Sequence, residues 1–170
     1  NNQQPTTNNQ QPTTNNQQPT TLIQPFDDTY FMKKALQEAE AAYEQGEIPI
    51  GAVIVVKNQI IARAHNLTET LNDVTAHAEM QAITAAANYL GGKYLIDCTL
   101  YVTIEPCQMC AGALFWSQIS RVVYGARDEQ RGCIEMGTKL HPKTTMEGGV
   151  LAEEASALLK RFFIEKRNLN

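Results

Sequence analysis

Helical and extended patterns alternate along this chain, and the alternation restricts it to a layered α/β domain. From Asp27 the apolar residues Phe31, Ala35, Leu36, Ala39, Ala42 and Tyr43 fall on one helical face. Asp27 or Asp28 can cap that helix and Gly46 can stop it. Two β-branched-rich runs, 50–56 and 60–64, follow; Lys57-Asn58-Gln59 joins them, the pattern of a hairpin. The Ala-rich stretch 77–90 predicts a helix closed by Gly91-Gly92, followed by a strand over 99–104. A helix over 107–117 and a strand over 121–124 come next. Residues 125–149 show no regular pattern, and a last helix runs from Val150 to about Lys166. This order predicts a mixed sheet held between helices.

The first 21 residues stand apart, because they repeat Asn-Asn-Gln-Gln-Pro-Thr-Thr three times. They carry too little apolar surface to offset the entropy of ordering, so a disordered tail and linker is expected over residues 1–25, with one domain over 26–170. The longest apolar run, 50–56, is far short of the roughly 20 residues of a spanning helix, which excludes a helical membrane protein. A net charge of −4 argues against general polyanion binding. The charge is uneven, however: residues 1–119 hold 5 basic and 11 acidic side chains, and residues 120–170 hold 9 and 7. The mildly positive C-terminal third permits a local nucleic-acid contact. No positive segment followed by an apolar stretch opens the chain, so a reducing cytoplasm is expected. There, a Cys-x-x-Cys pair points to metal or redox chemistry.

Two segments carry such chemistry, Thr75-Ala76-His77-Ala78-Glu79 and Glu105-Pro106-Cys107-Gln108-Met109-Cys110, each where the chain enters a helix. His77, Cys107 and Cys110 are the borderline-soft donors that suit zinc. Cysteines three apart in a first helical turn can aim both sulfurs at one point, and the free N–H groups of that turn favour thiolates. Three protein ligands leave the fourth tetrahedral position open, the arrangement of a catalytic zinc. Glu79, two residues beyond His77, can serve as the acid/base near that metal. A structural zinc would need a fourth donor from Cys98, Cys133, His65 or His141, none of which has motif spacing. A redox pair would leave His77-Ala78-Glu79 without a purpose. Cys98, entering a strand, reads as a packed thiol, and Cys133 as incidental.

The pattern His-x-Glu…Pro-Cys-x-x-Cys marks the zinc nucleobase deaminases. Over residues 27–170 the chain resembles the bacterial tRNA-specific adenosine deaminases of the cytidine/deoxycytidylate deaminase superfamily. The resemblance runs through Ile48-Pro49-Ile50-Gly51-Ala52-Val53, Ala64-His65-Asn66, Thr99 to Cys107, Cys110-Ala111-Gly112-Ala113 and Gly125-Ala126-Arg127-Asp128, and into the last helix. It implies a three-layer α/β/α cytidine-deaminase-like fold with a central mixed sheet of about five strands. It also implies one zinc per chain on His77, Cys107 and Cys110, and attack of zinc-bound hydroxide on C6 of the wobble adenosine in a tRNA anticodon loop. Glu79 would shuttle the protons, Asn66 would hydrogen-bond the base, Ile50 would lie against its face, and Asp128 would sit beside the RNA backbone. A homodimer is the family expectation, and of the adjacent Phe115 and Trp116 one can face a partner.

Some of these residues also have plainer readings. Ile50 can equally be sheet core, Asn66 can simply end its strand, and at least one of Phe162 and Phe163 should pack the last helix. Gln130 stands where the family often has Lys, with Arg131 next. Two alternatives remain on the same fold: a deaminase of a free base or nucleoside such as guanine or cytosine, and a non-catalytic zinc-stabilised RNA-binding or partner subunit.

Overall fold

The computed structural model describes residues 25–170, so the expectation of a disordered repeat concerns residues almost wholly outside it. The elements are α1 (Asp28–Glu44), β1 (Gly51–Val56), β2 (Gln59–His65), α2 (Ala78–Leu90), β3 (Thr99–Ile104), α3 (Gln108–Ser117), β4 (Arg121–Ala126), β5 (Thr145–Glu147) and α4 (Ala152–Asn168). The five strands form one sheet in the order β2-β1-β3-β4-β5. The β1 strand is antiparallel to β2 and β3, whereas β3, β4 and β5 run parallel. The mixed sheet of about five strands is therefore present.

Both faces of the sheet are covered, and side-chain alternation says how. Ala52 and Ile54 of β1, Leu100 and Val102 of β3, and Val122 and Tyr124 of β4 pack with Ala78, Ala82 and Ala86 of α2 and Leu114 of α3. The intervening Val53, Val55, Tyr101 and Val123 meet Phe31, Met32 and Ala35 of α1 on the other face. Ile104 and Ala126, the last residues of their strands, pack on Ala155 of α4. Strands buried on both sides read as near-continuous apolar runs, which is why 50–56 and 99–104 looked so uniform. The alanines of α2 let that helix lie close to the sheet. On the opposite face, Gly51 sits directly beneath the α1 backbone at Ala35 and Ala39, where any Cβ would collide.

The hairpin turns at Lys57 and Asn58, both with positive φ (49° and 59°), the signature of a two-residue type I′ turn. Helices α2 and α3 begin one residue later than the periodicity suggests, because His77 and Cys107 are extended N-cap residues. The β5 strand corrects the reading of 125–149 as wholly irregular. It is three residues long with an exposed–intermediate–exposed pattern, and only its register against Arg121, Val122 and Val123 makes it a strand. No helix among the described residues is long and apolar enough to cross a membrane. Ligand sites in open α/β sheets form beyond the carboxyl ends of the parallel strands, and here that edge lies at Glu105 and Arg127.

Candidate active site

The starts of α2 and α3 meet beyond the β3 end. Neither His77 nor Cys107 spends its side chain on capping its own helix, so both are free to point into the gap between them. His77 Nδ1 lies 3.6 Å from Cys107 Sγ and 3.6 Å from Cys110 Sγ. All three donor atoms fall within 4.8 Å of one another. A tetrahedral ion with Zn–S of about 2.3 Å and Zn–N of about 2.0–2.1 Å separates those ligand atoms by about 3.6 Å. The triangle thus has the size of one face of a zinc tetrahedron, and the donor set fits the metal. Among the described residues no fourth His, Cys, Asp or Glu joins it. His65 is engaged elsewhere, with Nδ1 2.9 Å from Glu38 Oε2 and Nε2 3.1 Å from Gln45 Oε1.

The electrostatics favour a thiolate at Cys107. Hydrogen bonding from Cys110, with help from His77, brings the Cys107 thiol down to about 4. The same bond, together with burial, pushes the Cys110 thiol up. The bond to Cys107 raises His77 above 6.5. Burial raises Glu79, which is only 4% exposed, so its carboxyl resists ionisation and holds a proton more readily than a surface glutamate.

The metal triangle opens on a cavity of about 300 Å³. Its lining includes His77, Glu79 and Cys107 together with Ile50, Asn66 and Thr68. Asp128 and Arg131, and Leu159 and Phe163 of α4, also line it. Ile50, Asn66, His77, Glu79, Cys107 and Asp128, selected from the sequence, all line this one cavity, and Cys110 lies buried behind it. Ile50 serves both of its readings, since it also packs against the sheet core. Asn66 likewise ends its strand while lining the cavity: its N–H donates to Ile50 O at 3.1 Å, and its Oδ1 accepts from Thr68 N–H at 3.4 Å. Asp128 Oδ1 accepts the N–H groups of Gln130 (3.1 Å) and Arg131 (3.0 Å), fixing the turn that presents Arg131.

Thr68, Arg131, Leu159 and Phe163 were not assigned to the cavity from the sequence. Leu159 and Phe163 are four apart on α4, a spacing visible in the sequence, but which neighbour that face meets is a tertiary fact. Phe162 is the one that packs, at 6% exposure, while Phe163 lines the cavity. Cys133 is more than incidental: it is fully buried, and its N–H donates to Pro106 O at 2.8 Å. Trp116 is 77% exposed beside a half-buried Phe115.

Residues 26–126 match the family model of the cytidine and deoxycytidylate deaminase zinc-binding region. The chain is 46% identical to the tRNA-specific adenosine deaminase of Aquifex aeolicus over 82% of this chain and 95% of that one. Among solved structures, it aligns with a chain from studies of A-to-I editing by tRNA:A34 deaminases at the wobble position of transfer RNA (TM-score 0.72, 41% identity, 76% of this chain and 99% of that one). A guanine deaminase from Bacillus subtilis aligns over less of its length (TM-score 0.56, 42% identity, 64% of this chain and 69% of that one).

Proposed function

We infer the function from one premise: the chain belongs to the zinc-binding cytidine and deoxycytidylate deaminase family and, within it, to the tRNA-specific adenosine deaminases. It is a zinc-dependent deaminase that converts adenosine to inosine at the wobble position of tRNA, taking up water and releasing ammonia. The observation that carries this reading is the His77–Cys107–Cys110 triangle opening, together with buried Glu79, on a single cavity. Zinc held by those three residues supplies the Lewis acid that makes a water nucleophilic near neutral pH.

The chain's own residues do the rest. Glu79 takes the proton from the attacking water, passes it to ring N1 of the adenine, and later helps the C6 amino group leave as ammonia. Its burial suits it to hold a proton between transfers. Asn66 hydrogen-bonds the base edge and fixes which atom faces the metal, while Ile50 packs against the ring face. Asp128 lies beside the RNA backbone. An unstacked anticodon-loop base can reach a narrow cavity of this kind. We take residues 26–170 as the deaminase unit, so a chain lacking residues 1–21 should deaminate normally. A cytoplasmic homodimer is the assembly we favour, and exposed Trp116 supports a protein contact on α3.

The test is a direct comparison of an anticodon stem-loop RNA with free guanine, cytosine and adenosine. Inosine formed only in the RNA supports the reading; ammonia released from a free base alone contradicts it. The guanine deaminase likeness makes guanine the important competitor.

A further inference from the structure

The end of β3 leads into another buried carboxylate that the chemistry above does not use. Glu105 has a side chain with 0% exposure, and both oxygens are engaged. Oε1 accepts from Arg127 Nε at 3.2 Å and from the Asp128 N–H at 3.3 Å. Oε2 accepts from the Ile134 N–H at 3.0 Å. Every one of these partners belongs to a single segment, 127–134, which follows β4 and has no helix or strand of its own. That segment supplies Asp128 and Arg131 to the cavity wall.

We propose that Glu105 is a positioning residue, whose buried carboxylate gathers segment 127–134 and so sets Asp128 and Arg131 at a fixed place relative to the metal-binding start of α3; this rests on the function proposed above. A buried carboxylate is costly unless its oxygens are satisfied, and an apolar residue here would leave two backbone N–H groups without acceptors. The segment is docked on the same stretch a second way. The Cys133 N–H donates to Pro106 O at 2.8 Å, and Cys107 and Gly132 form an isolated antiparallel bridge. Gly132 presses so closely on the Glu105 carboxyl and the Asp128 carbonyl that no Cβ fits there. The sheet itself does not depend on this contact, because β3 and β4 are already paired as far as Ile104 and Ala126. Glu105 itself lines the cavity, and its carboxylate acts on the substrate side through the segment it holds.

Two substitutions attack the contact from opposite sides. Glu105→Gln turns one acceptor into a donor facing a backbone N–H. Gly132→Ala pushes the segment off the carboxylate and leaves β3 untouched. Hydrogen bonds to a charged group are worth enough that about a tenfold change should be read in each assay. In zinc-loaded full-length protein, amide exchange over 127–134 should rise about tenfold in both variants, while β3, β4 and α3 keep their protection. KM for an anticodon stem-loop should rise about tenfold, with kcat changed by less than about threefold and zinc content unchanged. Glu105→Asp, which keeps the charge, should recover part of the loss. Unchanged exchange over 127–134 overturns the proposal. So does raised exchange with an unchanged KM, a fall in kcat alone, or loss of folding in both variants. Wild-type protein that makes no inosine would instead refute the function proposed above, and the exchange measurement would still decide the role of Glu105.

Discussion

Glu79→Gln is the substitution that removes the proton carrier and leaves the rest of the centre in place. Glutamine has nearly the same shape, and Glu79 is not one of the three metal donors. A positioned acid or base contributes about 10²–10⁴ in rate. Here the upper end applies, because a residue only 4% exposed has no bulk water beside it to substitute, and the same carboxyl serves more than one transfer. A loss of about 10⁴ corresponds to about 5.4 kcal/mol of barrier at 1.36 kcal/mol per decade. The assay is single-turnover formation of inosine in a stem-loop RNA, run beside metal analysis, thermal melting and RNA binding. Zinc should stay near one per chain and RNA affinity within about threefold of wild type. The melting temperature should hold or rise, since a neutral amide avoids the burial penalty that a carboxylate meets at this position. A variant that turns over within about tenfold of wild type would refute the role given to Glu79.

Three further outcomes test other parts of the account. Asp28 is held below its ordinary 3.8, chiefly by hydrogen bonds from Arg121, whose two terminal nitrogens each lie 2.7 Å from a carboxyl oxygen. The stability this contributes is complete above 3.8 and is lost as pH falls through the lower folded value. Asp28→Asn should therefore flatten the acid limb of a melting-temperature profile below that point, and an unchanged limb would show that the pair contributes nothing. Leu114, fully buried between α3 and the sheet, should cost about 2–5 kcal/mol when cut to Ala, read by urea denaturation. Chelation should abolish deamination and lower the melting temperature, with both restored by added zinc. Free zinc at 100 times its Kd should be worth about 2.7 kcal/mol of stability.

Which features could be read from the sequence follows from how far apart their causes lie. The face of α1, the hairpin and the apolar strands are local patterns, and each is present close to its expected bounds. The metal triangle was legible because its three residues sit in two short segments of fixed spacing, each at a helix start. The β5 strand was not legible. Three residues with one half-buried methionine carry no alternation, and their pairing depends on the exposed edge of β4. Glu105 immediately precedes the Pro-Cys-x-x-Cys motif, yet its partners lie 22 to 29 residues away in a segment without periodicity. Glu47 was hidden for the same reason. It is fully buried and accepts from the N–H groups of Glu69 and Thr70 and from the Thr70 hydroxyl, so it braces the β2–α2 loop from over twenty residues away. A charged residue beside an apolar run was the available signal in both cases. It announces a satisfied carboxylate without naming the partner.

The central claim is that one zinc, one buried glutamate and one narrow cavity act on a single adenosine of tRNA. Its most direct measurement is mass spectrometric mapping of inosine in full-length tRNA after incubation with purified protein, with free guanine present as a competitor. The account expects one inosine per substrate tRNA, confined to the first anticodon position, and intact guanine. Inosine scattered over other adenosines, or xanthine formed from guanine while the tRNA stays unmodified, would contradict it.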